Sequence, residues 1–173
     1  MPDTATVSDI MTTEVITLGL NDKLEKAVEF FGQYNLDGFP VIREGRKLVG
    51  LLTSYDMVFQ SSRLHLPVVM SSELSDKQSI NAHFGKIGSM EIGEIMNSDP
   101  LVVGPEVKVE DLAREFVEHH RVNIIPVVDG ERNLLGVVNR YDVIKFFNES
   151  HFEKVIKDAS HEGVLRRLTR LDE

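Results

Sequence analysis

The chain of 173 residues contains no cysteine, which excludes disulfides and thiolate metal sites and leaves the redox compartment open. No uninterrupted apolar run approaches the ~20 residues that span a bilayer, and the first residues lack the basic-then-apolar pattern of a secretory leader. The sequence therefore reads as cytoplasmic. The phosphate loop Gly-x-x-x-x-Gly-Lys-Ser/Thr is missing, His-x-x-x-His is missing, and no Ser–His pair stands out. Without a phosphate cradle, a metal cluster or an activated nucleophile, the chain reads as non-catalytic. Positive charge is in deficit, with 19 Lys and Arg against 28 Asp and Glu and a net charge of −9. That balance argues against nucleic-acid binding across the whole surface. A local basic patch at Arg166, Arg167 and Arg170 is the exception.

What the chain does have is a duplication. Pro40-Val41 followed by Leu48-Val49-Gly50-Leu51-Leu52-Thr53-Ser54-Tyr55-Asp56 returns as Pro126-Val127 followed by Leu134-Leu135-Gly136-Val137-Val138-Asn139-Arg140-Tyr141-Asp142, at a constant offset of 86. Between positions 40 and 57, seven of eighteen residues are identical to their counterparts, where average usage gives about one. Two copies are too few for a solenoid. They point instead to a pseudo-twofold unit with a cleft near its internal axis.

The repeat extends upstream at offset 85. Asp9-Ile10-Met11 is echoed by Glu94-Ile95-Met96, and the short apolar stretch at 15–18 by one at 101–103. Leu24, Ala27, Val28 and Phe31 form one helical stripe, reproduced by Val109, Leu112, Ala113 and Phe116. Asp22 and Glu25 have the spacing of a capping box for the first of these helices. Each half then reads as a hairpin and a helix. Strands are expected at 39–42 and 48–53, and again at 125–128 and 134–138, with Asp56 and Asp142 at the following helix starts. The order strand, helix, strand, strand, helix makes each half an α+β unit. Residues 1–60 are the first repeat, 61–91 a linker with a helical part around Leu64, Leu66, Val68, Val69 and Met70, 92–148 the second repeat, and 149–173 a helical tail. In that tail Phe152, Val155, Ile156 and Ala159 lie at helical spacing, and Gly163 marks a break.

This pattern resembles the CBS domain, named after cystathionine β-synthase and found in tandem pairs called Bateman modules. The residues that carry the likeness are Asp9-Ile10-Met11 and Glu94-Ile95-Met96, the two Pro-Val strands, and Gly50-x-x-Thr53-x-x-Asp56 with Gly136-x-x-Asn139-x-x-Asp142. The resemblance implies two β-α-β-β-α repeats packed sheet to sheet with pseudo-twofold symmetry, and two equivalent clefts between them. It implies an adenosyl ligand (AMP, ADP, ATP or S-adenosylmethionine, with Mg²⁺ as an optional companion of a nucleotide) and a disc-shaped homodimer. It also implies that each cleft is composite, with base contacts from one repeat and the ribose carboxylate from the other.

On that basis one cleft pairs Thr53 and Asp56 with Val102, Val122, Asn123, Ile124 and Pro126. Asp56 would accept the ribose hydroxyls, backbone groups near Leu101-Val102 would read the adenine edge, and Thr53 would donate to the α-phosphate. The other cleft pairs Asn139, Arg140 and Asp142 with Ile16, Thr17, Leu36, Asp37, Gly38 and Pro40. Here the sequence departs from the family pattern, since Asn139 stands where a hydroxyl is usual. Arg140 beside it reads either as a bidentate phosphate ligand or as a solvated charge. The cleft with Thr53 and Asp56 is the better-formed one. Both aspartates also have the alternative role of plain helix caps. His119-His120-Arg121 follows a helix, where cations suit the macrodipole; phosphate binding is its alternative. The functional expectation is a non-catalytic sensor that binds an adenosyl ligand. The competing expectation is a structural dimerisation or protein-interaction module with empty clefts.

Overall fold

A computed structural model describes residues 5–57 and 88–148. The expected linker helix, the tail from 149 onward and the Arg166–Arg170 patch lie outside them. The first repeat contains α1 (Val7–Ile10), β1 (Leu18–Gly19), α2 (Leu24–Tyr34), β2 (Gly38–Arg43), β3 (Lys47–Thr53) and α3, which begins at residue 54 and is described to 57. The second contains α4 (Ile92–Ile95), α5 (Val109–Glu118), β4 (Ile124–Val128), β5 (Leu134–Asn139) and α6 at 140–148. Mixed helix and strand in two like units is the expected α+β class.

The sheets match where the sequences match. β2 and β3 pair antiparallel, as do β4 and β5, with a register shift after Val41 in one and after Val127 in the other. β1 adds a parallel edge to β2, placing Leu18 opposite Val41. The strand expected at 101–103 shrinks to a single parallel bridge between Val103 and Val127. Val103 donates to Pro126 O at 3.1 Å and Val103 O accepts from Val128 N at 2.9 Å. The next donor in such a ladder would be residue 105, a proline with no N–H, so the pairing stops.

Helix termini follow local chemistry, with one correction. Thr6 N donates to Asp9 Oδ2 at 2.8 Å and Glu91 N to Glu94 Oε1 at 2.9 Å, closing capping boxes on α1 and α4. The box expected from Asp22 and Glu25 is not formed, because α2 starts after Lys23 with no side-chain cap. Asp22 turns back instead, accepting from Gly19 N at 2.7 Å and Lys26 Nζ at 2.8 Å. Asn35 ends α2 in the left-handed region at φ 49°, which Asn tolerates better than most residues.

The cores do not follow the sequence halves. Ala5 and Val7 are buried with Val109, Leu112, Ile125, Val127 and Val138 of the second repeat. Ile92 and Ile95 are buried with Leu18, Leu24, Phe39, Val41 and Leu52 of the first. Each repeat thus sends its leading arm into the other. The arms are stitched in place by paired backbone bonds, Thr12 with Val137 and Asn97 with Leu51, all at 2.9 Å. The repeated strand glycines make room for them. A Cβ on Gly136 would lie 2.7 Å from Thr12 O, and one on Gly50 2.9 Å from Asn97 O and 2.4 Å from Met96 Sδ. A third cluster of Leu48, Val128 and Leu134 joins the hairpins at their turn ends. There Leu48 N donates to Arg132 O at 3.0 Å and Leu134 N to Arg46 O at 2.9 Å.

Candidate functional site: a cleft between the repeats

Both strand-to-helix junctions place an aspartate at the third helical position. At the first, Thr53 N and Thr53 Oγ1 donate to Asp56 Oδ2 at 2.8 and 2.6 Å, and Asp56 N donates to Thr53 Oγ1 at 3.3 Å. This reciprocal box fixes the Asp56 rotamer, and its bonds use Oδ2 alone. The hydroxyl proton of Thr53, expected to serve a phosphate, is given to Asp56. At the second junction Asn139 N donates to Asp142 Oδ2 at 2.8 Å, while Asn139 Oδ1 accepts from Tyr141 N at 2.8 Å and Asp142 N at 3.1 Å.

Asp56 and Thr53 line a cavity of about 260 Å³ together with Val122, Asn123 and Ile124 of the second repeat. Five of the residues assigned to the first cleft are therefore brought together. Two are not in its lining. Val102 packs instead against the Leu48–Val128–Leu134 cluster, and Pro126 is buried within β4. Leu101, named for its backbone, and Pro100 take their place. Asp37, assigned to the other cleft, also lines this one. Ser54, Tyr55, Asn97 and Arg121 add to its polar lining and were not assigned to it from sequence. Tyr55 sits within the Thr53-x-x-Asp56 signature and Arg121 next to Val122, so adjacency was the available signal. Asn97 arrives through the exchanged arm, for which the sequence offered none.

Of the residues assigned to the second cleft, Leu36 and Asp37 border an open groove of about 560 Å³ with Val28, Phe31, Met57 and Tyr141. Ile16, Thr17, Gly38, Pro40, Asn139, Arg140 and Asp142, the others assigned to that cleft, lie away from this groove's lining. Ile16 packs on the first core, while Gly38 and Pro40 pair with Thr53 and Leu51 inside the sheet. Arg140 departs from both expectations. Its Nε donates to Val122 O at 3.0 Å, and its terminal nitrogen donates to the carbonyls of His120, Phe116 (3.4 Å) and His119 (3.5 Å). The guanidinium also lies 5.9 Å over the Phe116 ring. It thus closes the end of α5 and braces residues 119–122, part of the first cleft's wall.

Burial pushes the Asp142 carboxyl above its ordinary 3.8, against the opposing pulls of the Asn139 N–H and the Lys145 charge. Away from the clefts, burial also pushes Asp22 upward, but the Lys26 hydrogen bond, the Gly19 N–H and the Lys26 charge outweigh it and hold that carboxyl below 3.8. Among the described residues, no group of three or more His, Cys, Asp or Glu is placed to hold a metal ion, and no helix is long and apolar enough to cross a membrane.

This geometry has counterparts among known proteins. The CBS domain family matches residues 7–63 and 92–149. The CBS domain-containing protein YhcV of Bacillus subtilis is 26% identical over 162 residues, covering 92% of this chain and 99% of its own. Inosine-5′-monophosphate dehydrogenase of Korarchaeum cryptofilum is 31% identical over 138 residues, but the chain spans only 23% of that protein's length. Among solved structures, CBSX2 in complex with AMP superposes with a TM-score of 0.66 at 25% identity, covering 84% of this chain and 98% of that one. The CBS domain pair of MJ0100, solved with 5′-methylthioadenosine and S-adenosyl-L-methionine, gives a TM-score of 0.63 at 22% identity, covering 85% and 98%. The chain belongs to the CBS-domain family and carries a tandem pair of such domains.

Proposed function

We propose that this protein is a non-catalytic, cytoplasmic sensor that binds an adenosyl ligand in the cleft containing Asp56. The observation that carries this reading is a carboxylate locked at the start of α3, lining a cavity to which residues 121–124 of the other repeat contribute a wall. Asp56 Oδ1 is the oxygen assigned to the ribose hydroxyls. Charge-assisted bonds of that kind contribute about 1.5–3 kcal/mol each. Val122, Ile124 and Leu101 supply apolar faces for a purine. The solved complex of CBSX2 with AMP supports an adenine nucleotide as the ligand class; any Mg²⁺ would come with a nucleotide.

Binding shifts the protein between states only as far as its affinities for them differ. A ligand that bridges the repeats favours whichever packing keeps the cleft closed, and a regulated partner would read that packing. Apolar side chains left exposed on the helices (Val28, Val117 and Ile144, at 55%, 78% and 52% exposure) suit a second copy of the chain, which supports a homodimer. The same residues are what favours the alternative of a purely structural dimerisation module. A thermal-shift series with AMP, ADP, ATP and S-adenosylmethionine decides between them. At least one should raise Tm in a concentration-dependent way, and Asp56→Ala should remove that rise. No rise with any of the four up to millimolar concentrations would refute the sensor reading.

A further inference from the structure

Of the thirteen described residues that line the Asp56 cavity, Arg121 is the one with a positively charged side chain. Two residues earlier, His119 faces Glu115 at 3.6 Å, whereas Arg121 has neither an ion pair nor a side-chain hydrogen bond among the described residues. Its backbone is nevertheless held, because Arg140 grips the carbonyls on either side of it, His120 O and Val122 O. A fixed backbone with a free guanidinium on a cavity wall is the arrangement a phosphate reader requires. The planar fork of arginine matches two phosphate oxygens at once.

The hydroxyl expected to serve the phosphate points the same way. Thr53 has one hydroxyl proton and gives it to Asp56, so it has none left for an anion while that box is closed. The two carboxylates in the lining, Asp37 and Asp56, set a limit on how much negative charge one guanidinium can offset. A cavity of about 260 Å³ also falls just below the ~300–1,000 Å³ of pockets that enclose drug-sized ligands. Charge and volume both favour one phosphate over a chain of three. A sulfonium at the 5′ position would bring its positive charge to the same end of the ligand as the guanidinium.

Resting on the adenosyl reading, we propose that Arg121 is the specificity-determining residue of this cleft. It sets the site to take adenosine carrying a 5′-phosphate over adenosine itself and over S-adenosylmethionine. The test is calorimetric titration of the intact chain with AMP, adenosine and S-adenosylmethionine, in the native protein, Arg121→Ala and Arg121→Lys. Arg121 is exposed, so both variants should fold as the native chain does, which thermal melting without ligand checks. The native protein should prefer AMP over adenosine by about tenfold or more, the size of one charge-assisted contact. Arg121→Ala should bring that ratio close to one by weakening AMP alone, and Arg121→Lys should keep part of it. Adenosine and AMP binding equally to the native protein, S-adenosylmethionine binding more tightly than AMP, or an undiminished AMP preference in Arg121→Ala would each overturn this inference while leaving the adenosyl reading standing. Failure of all three ligands to bind the native protein would overturn both.

Discussion

The Thr53–Asp56 and Asn139–Asp142 junctions share a backbone and differ in chemistry. Threonine donates its hydroxyl to the aspartate that follows, so Asp56 receives two bonds on one oxygen. Asparagine turns its carbonyl toward the helix, so Asp142 receives one bond from the same residue and its carboxyl is raised by burial. One position further on, Ser54 lines the Asp56 cavity whereas Arg140 reaches back to brace that cavity's far-repeat wall. The two junctions keep one backbone frame, and the side chains set on it make different contacts.

The largest effect is expected at the exchanged arms. Ile92 is fully buried in the core of the opposite repeat, and Ile92→Ala should cost about 2–5 kcal/mol. Hydrogen exchange should show protection lost in β2 and β3. Val7→Ala, the mirror change, should loosen β4 and β5. Loss confined to the repeat that carries the substitution would contradict the exchange. A middle-sized effect is expected at Arg140. Arg140→Ala removes donors from carbonyls that bound residues 119–122, so AMP affinity at the Asp56 cleft should fall severalfold although Arg140 is outside the cavity lining. Calorimetry reads it, and unchanged affinity would remove Arg140 from the support of that wall.

The smallest effect concerns Asp142. A carboxyl raised in the folded state is a burden once it ionises, so stability is lost as pH climbs from 3.8 through the folded value. Asp142→Asn keeps an oxygen for the Asn139 N–H and removes the charge. It should raise Tm at pH 7 by no more than about 2–4 °C, and the gain should vanish as pH falls below 3.8. A lower Tm at pH 7 would contradict that balance.

Much of this was legible in the residues. The Pro-Val hairpins and the two amphipathic helices follow from period, spacing and the repeat itself, whereas the joining of Thr53 and Asp56 with residues 122–124 is what the resemblance to the CBS domain implies. The exchange of arms was not, because a repeat shows which segments are alike and not which copy each one packs against. Asp22 has the spacing of a cap, yet Lys26 one turn on offered it a closer charge. Pro105 shortened a strand by lacking one N–H. Arg140 was read by its neighbours in sequence, while its actual partners are carbonyls from Phe116 to Val122 that only the folded turn after α5 brings within reach.

The most direct test of a shared crevice is the stoichiometry of AMP on the intact chain, measured by calorimetry in the native protein, Asp56→Ala and Asp142→Ala. One tight site per chain is expected, which disappears with Asp56 and survives the loss of the Asp142 carboxylate. Two equivalent sites, or a tight site indifferent to Asp56, would contradict it.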